Sequence, residues 1–300
     1  MPGRTDPALR CPHCHSASIL IDESRCEACG TSFPAVDGIP VLVRNPESLA
    51  ADIDAALRSN PAWYAQVQPP ELSSPWRHHL RKRRLYVEQV LKRELALRGR
   101  AKALRFLDLG CGDGTNLPWL APFAERLYAS DYNMLRLTRA KNRNTGATLL
   151  LGDILDFPAL DGAFDVVFFN HVIEHIPNDV GALKSVARIL APGGLVILGT
   201  PNEGAWWWQL AYRRAPQVRA STDHVHFYTA DTIASKMTAA GLEVIEIEHI
   251  GWGPPDWHLD GRIRKYKIVD DAFEFIGRRL MPRQASSLYL VGIAPAETKH

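Results

Sequence analysis

The 300-residue chain has no apolar run long enough to span a bilayer; LVIL and VVFF have the lengths of buried strands. Its N-terminus carries charges and cysteines where a secretory leader needs an apolar stretch, so a cytoplasmic protein is expected. Net charge is small, +2 from 35 basic and 33 acidic residues, which excludes a molecule that binds nucleic acid with its whole surface. Cysteine is scarce. Four of the five fall into two close pairs, which excludes a scattered disulfide framework. The rest, 46% hydrophobic and 23% charged, suits one large core with a small appendage.

The cysteine pairs are CPHC, Cys11 and Cys14, and CEAC, Cys26 and Cys29. Two Cys-x-x-Cys hooks let four thiolates converge on one zinc ion, and four protein ligands close the coordination, so the metal is structural. Gly30 follows the second hook, where a tight knuckle needs a permissive backbone. With the site filled by cysteine, His13 and His15 are read as outer or exposed residues. A segment of about 35 residues cannot bury a sufficient core alone, so the metal supplies folding energy.

Residues 45–76 read as a linker: SLAADIDAALRS looks helical, but Pro61, Pro69, Pro70 and Pro75 interrupt. An amphipathic helix is expected from residue 77, with Leu80, Leu85, Val87, Val90, Leu91, Leu95 and Leu97 at roughly helical spacing. Its other face carries Arg77, Arg81, Lys82, Arg83, Arg84, Lys92, Arg93, Arg98, Arg100 and Lys102 against Glu88 and Glu94. That face is either solvated or a patch for an anionic partner: RNA phosphate, anionic lipid or a phosphorylated substrate.

LDLGCGDGTN, residues 107–116, raises the question of function. RFLDL reads as a buried strand, Thr115 or Asn116 as the cap of the next helix, and Pro118 as part of its first turn. Gly110, Gly112 and Gly114 then sit at a strand-to-helix turn where a ligand approaches bare backbone. No Gly-Lys-Ser/Thr follows, which excludes a P-loop, and Thr115 stands where a dinucleotide fingerprint needs its last glycine. Cys111 reads as a small apolar packer. RLYASDYN gives a second strand running to Asp131, ATLLLGDILDFP a third before Asp153, FDVVFFNHVIEHI a fourth ending at Asn170, and LAPGGLVILGTPN a fifth.

The motif Gly110-Cys111-Gly112-Asp113-Gly114 resembles motif I of the class I S-adenosylmethionine-dependent methyltransferases, and the later pieces follow in register over about residues 75–297. The resemblance implies an α/β fold, a doubly wound, Rossmann-like, seven-stranded and mostly parallel sheet. It implies that Gly110 and Gly112 hold the methionine moiety, Asp108 its ammonium and Asp131 the ribose hydroxyls. Asp153 would meet the adenine amino group with Ile154 beside it, and Asn170 would close over the methionine end. A cap or turn role is the alternative for each Asp. The stretch Cys11–Val43, with its FPAVDGIPVLV continuation, resembles the short zinc-ribbon proteins that activate methyltransferases, which implies a docking module. The layout implied is a ribbon over 1–44, a linker over 45–76 and a catalytic domain over 77–300, with lid inserts near 203–228 and 252–284.

His171-Val-Ile-Glu174-His175 matches a metalloprotease signature, and on a helix it would put both histidines on one face. Its place after the fourth strand argues against that chemistry. The stretch resembles better the Glu-x-x-Glu-His segment of the ubiquinone-pathway O-methyltransferases, which use a divalent metal there. His171 stands in place of the first Glu, a poor exchange for magnesium. A methyl acceptor hydroxyl needs a base, and His171, His175 and His224 are the candidates, with His226 nearby. Trp206-Trp207-Trp208 and the later insert place aromatics beside arginines, which suits an apolar substrate with an anionic group, peripheral membrane contact, or lid packing.

The expected function is therefore S-adenosylmethionine-dependent O-methylation of a small-molecule, glycan or lipid-linked substrate, with structural zinc. The alternative is an RNA methyltransferase that uses ribbon and basic helix to hold phosphate, as ribosomal guanine methyltransferases pair a Cys-rich module with this fold. No Asn-Pro-Pro-Tyr-type motif follows the fourth strand to support amino-nitrogen transfer. A non-catalytic binding protein or activator is the third class.

Overall fold

The computed structural model describes residues 5–49, 51, 58, 65–68, 71–220, 224–254 and 256–296. The helical reading of 48–59 and the prolines at 61, 69 and 70 fall largely or wholly outside these residues.

Four short strands open the chain: β1 (Ile19–Leu20), β2 (Arg25–Cys26), β3 (Ala35–Val36) and β4 (Ile39–Leu42). Seven longer ones follow: β5 (Ala103–Leu109), β6 (Ala124–Ser130), β7 (Thr148–Gly152), β8 (Phe164–Asn170), β9 (Leu190–Pro201), β10 (Glu243–Ile250) and β11 (Ser287–Ile293). The helices are α1 (Arg77–Leu97), α2 (Leu117–Leu120), α3 (Met134–Lys141), α4 (Asp179–Ile189), α5 (Trp206–Arg214), α6 (Pro216–Ala220), α7 (Ala230–Ala239), α8 (Trp257–Ile263) and α9 (Lys267–Leu280).

The seven long strands form the expected α/β sheet, in the order β10-β11-β9-β8-β5-β6-β7, with β11 antiparallel to both neighbours. The sheet then continues through β4 and β3 to nine strands. β4 lies parallel to β7, pairing Val41 with Leu151 and Leu42 with Gly152. The free edge of β7 needs a partner for its backbone groups, and the apolar Ile39–Leu42 supplies it.

Alternation along the strands divides the core. Leu107, Leu109, Val167 and Phe169 face α4, α7 and the N-terminal segment, including Leu9, Cys11, Ile19 and Phe33. Phe106, Val166 and Phe168 face α1, α2 and α3. The ribbon thus shares the catalytic core. Tyr128 donates to Asp6, Arg105 to the Pro7 carbonyl, and Arg10 pairs with Asp156 at 2.6 Å.

Two helices differ from expectation. On α1, Val87, Val90, Leu91 and Leu95 are buried, but Leu85 and Leu97 are exposed and His79 and Glu94 are inside. The inward face is more polar than its leucines suggest. α2 is a single turn, because Pro118 and Pro122 leave little room to propagate. Asn116 makes no side-chain cap there; it accepts from the Trp119 indole instead.

Candidate functional site

Chain direction across the sheet reverses between β5 and β8. A crevice opens at their carboxyl ends, where open α/β sheets bind ligands. The glycine turn forms one wall. Gly110 takes φ +81° and lies so close to Val172 that an added Cβ would sit 2.2 Å from its methyl. Gly110 and Cys111 both donate backbone N–H to the Ser130 carbonyl. Gly112, at φ +55°, donates to Asp131 Oδ2 at 2.8 Å, and Asn133 donates to Asp131 Oδ1 at 2.9 Å. Asp131 therefore clasps the turn to the end of β6.

Asp108 lies beneath. It is 1% exposed, and its Oδ2 has no hydrogen-bond partner among the described residues. Burial, then the charge of Asp131, pushes its carboxyl up to about 8. A buried acid left without a partner fits a cationic ligand group, such as the ammonium of S-adenosylmethionine. Asp153 follows β7, is exposed, and accepts from its own loop at Leu155 N; Ile154 is half-buried beside it. Outside the turn, Gln68 N donates to Asp113 Oδ2 at 2.7 Å, and Arg139 holds the carbonyls of Ala65 and Gln66.

The opposite wall is a chain of polar contacts. Asn170 Oδ1 accepts from the Tyr289 hydroxyl, which accepts from Arg83 Nε, each at 2.9 Å. Arg83 also meets His171 Nε2. Arginine only donates, so Nε2 accepts and Nδ1 carries the proton, which goes to Glu174 Oε1 at 3.2 Å. Thr200 donates to the other oxygen of Glu174. Burial and the Arg83 charge depress the His171 imidazole to about 4. A cleft of about 110 Å³ lies here between Arg83, Arg84, Asn116, Trp119, Phe168 and Tyr289. A larger one, about 500 Å³, lies at the far end of the sheet around Glu94, Arg98 and Gly193, away from the glycine turn.

The His-x-x-Glu-His stretch is not the regular helix that would align its histidines. His171 has φ +54°, and only Ile173–His175 form a 3-10 turn. Instead Glu174, His175 and His224 converge, with ligand atoms within 4.8 Å of one another. Val225 N and His226 N donate to the Glu174 carbonyl, which brings the His224 segment over this turn. His224 Nδ1 faces Glu203 Oε1 at 3.8 Å, and Glu203 accepts from Tyr212 at 2.8 Å. His226 turns away, to the Pro177 carbonyl. Residues 221–223, earlier in the same segment, lie outside the described residues.

Sequence reading missed Arg83, Tyr289, Glu203 and Gln68. Arg83 is hidden in a basic run, and nothing in the spacing marks Glu203. That basic run is largely paired: Lys82 with Asp270, Arg84 with Glu71 and Glu88, Arg93 with Glu246, Arg98 with Glu94 and Arg100 with Asp165.

At the N-terminus, Cys11 and Cys29 Sγ are 3.8 Å apart, and Cys14 and Cys26 Sγ 3.6 Å. Tetrahedral zinc with bonds of about 2.3 Å sets sulfur edges near 3.8 Å, so the four thiolates fit it. His13 packs on Phe33 and His15 contacts Arg44, outside the cluster.

The profile of a family described as a methyltransferase domain matches residues 76–247. A probable S-adenosylmethionine-dependent methyltransferase of Mycobacterium tuberculosis is 25% identical over 174 residues, 58% of this chain and 61% of that protein. A ubiquinone biosynthesis O-methyltransferase of Parvibaculum lavamentivorans is 27% identical over 160 residues, 50% of this chain and 63% of that one. The chain spans about three fifths of the length of the curated relatives it matches. Among solved structures, N-methyltransferase NodS of Bradyrhizobium japonicum, in complex with S-adenosyl-L-homocysteine, aligns with TM-score 0.52 and 19% identity, covering 79% of this chain and 97% of that one. A complex between the Haloferax volcanii Trm112 methyltransferase activator and a putative methyltransferase aligns with TM-score 0.51 and 20% identity, covering 84% of this chain and 100% of that one. At these identities the structures establish a shared fold.

Proposed function

The chain belongs to the methyltransferase domain family, and from that premise we propose that it is an enzyme that methylates an oxygen of a small-molecule, glycan or lipid-linked acceptor. The single observation that carries the reading is Asp108: a sealed carboxyl with an unpartnered oxygen beside the glycine turn. S-adenosylmethionine, when bound, supplies an electrophilic methyl group on a sulfonium.

The chain's own residues do the rest. Asp108 would pair with the ammonium of the methionine moiety, beside a turn whose glycines make room for Val172 at Gly110 and Gln68 at Gly112. Arg83, held by Tyr289, faces the carboxylate of that moiety. Asp131 holds the turn through one lone pair on each oxygen and keeps another for the ribose hydroxyls. Asp153 and Ile154 meet the adenine at the end of β7, and Asn170 closes the methionine end.

The acceptor's proton goes to His224. Its Nδ1 lies 3.8 Å from Glu203 Oε1, which sets a carboxylate beside the imidazolium that forms. His171 has both ring nitrogens occupied and orients Glu174. His175 lies ring to ring with His224 at 5.0 Å and shapes the acceptor side. Cys11, Cys14, Cys26 and Cys29 hold zinc as a structural ion. Ion pairs engage Lys82, Arg84, Arg93, Arg98 and Arg100, half of the basic residues that the RNA reading counts on, which weighs against it.

Titration calorimetry with S-adenosylhomocysteine tests the cofactor site, and transfer of labelled methyl to phenolic, glycan and lipid-linked hydroxyls tests the acceptor. Absence of cofactor binding, or binding that Asp131→Ala leaves unchanged, sinks the proposal.

A further inference from the structure

A surface helix normally buries its apolar stripe and turns charge to water. α9 seals only Asp270 and Gly277; Val269, Asp271, Phe273 and Glu274 are half-buried, and several of its apolar residues are left outside. Asp270 is fully buried against Arg264 Nε at 2.7 Å and Lys82 Nζ at 2.6 Å. Gly277 packs under the Trp252 indole, which leaves no space for a Cβ. Arg264 also reaches Asp260, which accepts from the Trp76 indole at 2.6 Å. A buried ionic network therefore seats α8 and α9 on α1.

The outward face is apolar. Ile268, Phe275 and Ile276, at i, i+7 and i+8, are 84%, 61% and 49% exposed, and Leu280 is 75% exposed. Tyr266 and Leu259 continue the patch on the preceding turn and α8, and Met281 follows it. The charges around it are basic: Arg262, Lys265, Lys267, Arg278, Arg279 and Arg283 are all exposed. Arg279 lies over the Phe275 ring at 4.6 Å and Lys265 over Tyr266 at 5.1 Å. Most acids of this stretch point inward or are paired, Asp270, Glu274 and Asp260 in the network and Asp271 with Lys82 and Lys267, while the exposed Asp256 caps α8 through Leu259 N.

We propose that α9 is the docking face for an anionic phospholipid bilayer, lying in the interface with Ile268, Phe275, Ile276 and Leu280 among the acyl chains. The charge complementarity selects this occupant: exposed lysines and arginines ring an apolar stripe, and a bilayer with negative headgroups supplies the matching layer. Lys267 is paired with Asp271 and Arg278 with Glu248 and Glu274, but a protein partner of neutral surface would offer Arg262, Lys265, Arg279 and Arg283 no counter-charge. The membrane then receives the protein on the insert that packs against α1, whose Arg83 and Arg84 line the crevice. The surface is independent of the chemistry proposed above.

The test is sedimentation of the full-length protein with phosphatidylglycerol-containing vesicles and with pure phosphatidylcholine vesicles. It is repeated with Ile268→Glu/Phe275→Glu, and with Arg279→Glu/Arg283→Glu. These side chains are exposed, so cofactor affinity and melting temperature should match the parent. Binding to anionic vesicles is expected, with the partition coefficient reduced by about tenfold or more in each double variant. Failure to bind anionic vesicles, equal binding to both lipids, or binding that ignores the substitutions overturns the proposal. So does sedimentation velocity showing that the apolar face instead joins two copies, with the dimer lost in Ile268→Glu/Phe275→Glu.

Discussion

At the scale of single residues, Asp108 gives the sharpest prediction. Its folded carboxyl titrates near 8 against an ordinary value near 3.8. The folded state therefore binds more protons than the unfolded chain between those values, and this group's contribution to stability falls as pH rises from about 4 to 8. Asp108→Asn should remove that fall. It should melt at or above the parent's temperature at pH 8, yet lose S-adenosylhomocysteine affinity by roughly two orders of magnitude, because the ligand's ammonium would have no counter-charge. Differential scanning calorimetry and titration calorimetry on one preparation would check both halves. A variant that bound normally would remove Asp108 from the cofactor site. His224→Ala should lower kcat by about 100-fold or more with KM little changed, in steady-state transfer of labelled methyl. The placing of the three acids in the fold was legible, since Asp108 is next to last in the apolar β5 and Asp131 and Asp153 directly follow β6 and β7. The tautomer of His171 was not, because it is set by Arg83, 88 positions away in the chain.

At the scale of elements, strands were read better than helices. β5 to β9 are apolar runs of strand length bounded by glycine, proline or aspartate, and local composition is enough to mark them. α9 shows the opposite case. Its apolar spacing is plain in KIVDDAFEFIGRRL, but spacing alone does not say which face turns inward. That choice is made by Arg264, which is buried, and Lys82, which is half-buried; together they give Asp270 a cation on each side. Asp270→Ala would take away the shortest ion pair of each cation, leaving Arg264 to Asp260 and Lys82 to Asp271, and should cost about 3 kcal/mol of stability, read as a shifted denaturation midpoint. A loss within error of zero would mean that the insert is seated by Trp252 and Gly277 instead. The metalloprotease reading of the His-x-x-Glu-His stretch was set aside from its place after the fourth strand; the structure adds that His171 takes a positive φ and that its N–H goes to Gly199 of β9.

At the scale of the whole molecule, the ribbon and the catalytic sheet form one body. Leu42 pairs with Gly152, the residue before Asp153, and Arg10 pairs with Asp156 in the loop beyond. Removing the metal by chelation should therefore lower the melting temperature of the full chain and also weaken S-adenosylhomocysteine binding, with both restored by added zinc. Metal loss that altered neither would confine the four cysteines to a local role. Cys11 and Cys26 are buried in the shared core, so Cys11→Ser should act on the whole protein and not on residues 1–44 alone.

The pairing of β4 with β7 is main chain to main chain, along a sheet edge that needs no covalent continuity. What covalent linkage adds is effective concentration, the chance that the ribbon meets its edge. A chain expressed as two pieces, one ending after the ribbon and one beginning before α1, should reassemble, with an affinity that reports on the sheet edge.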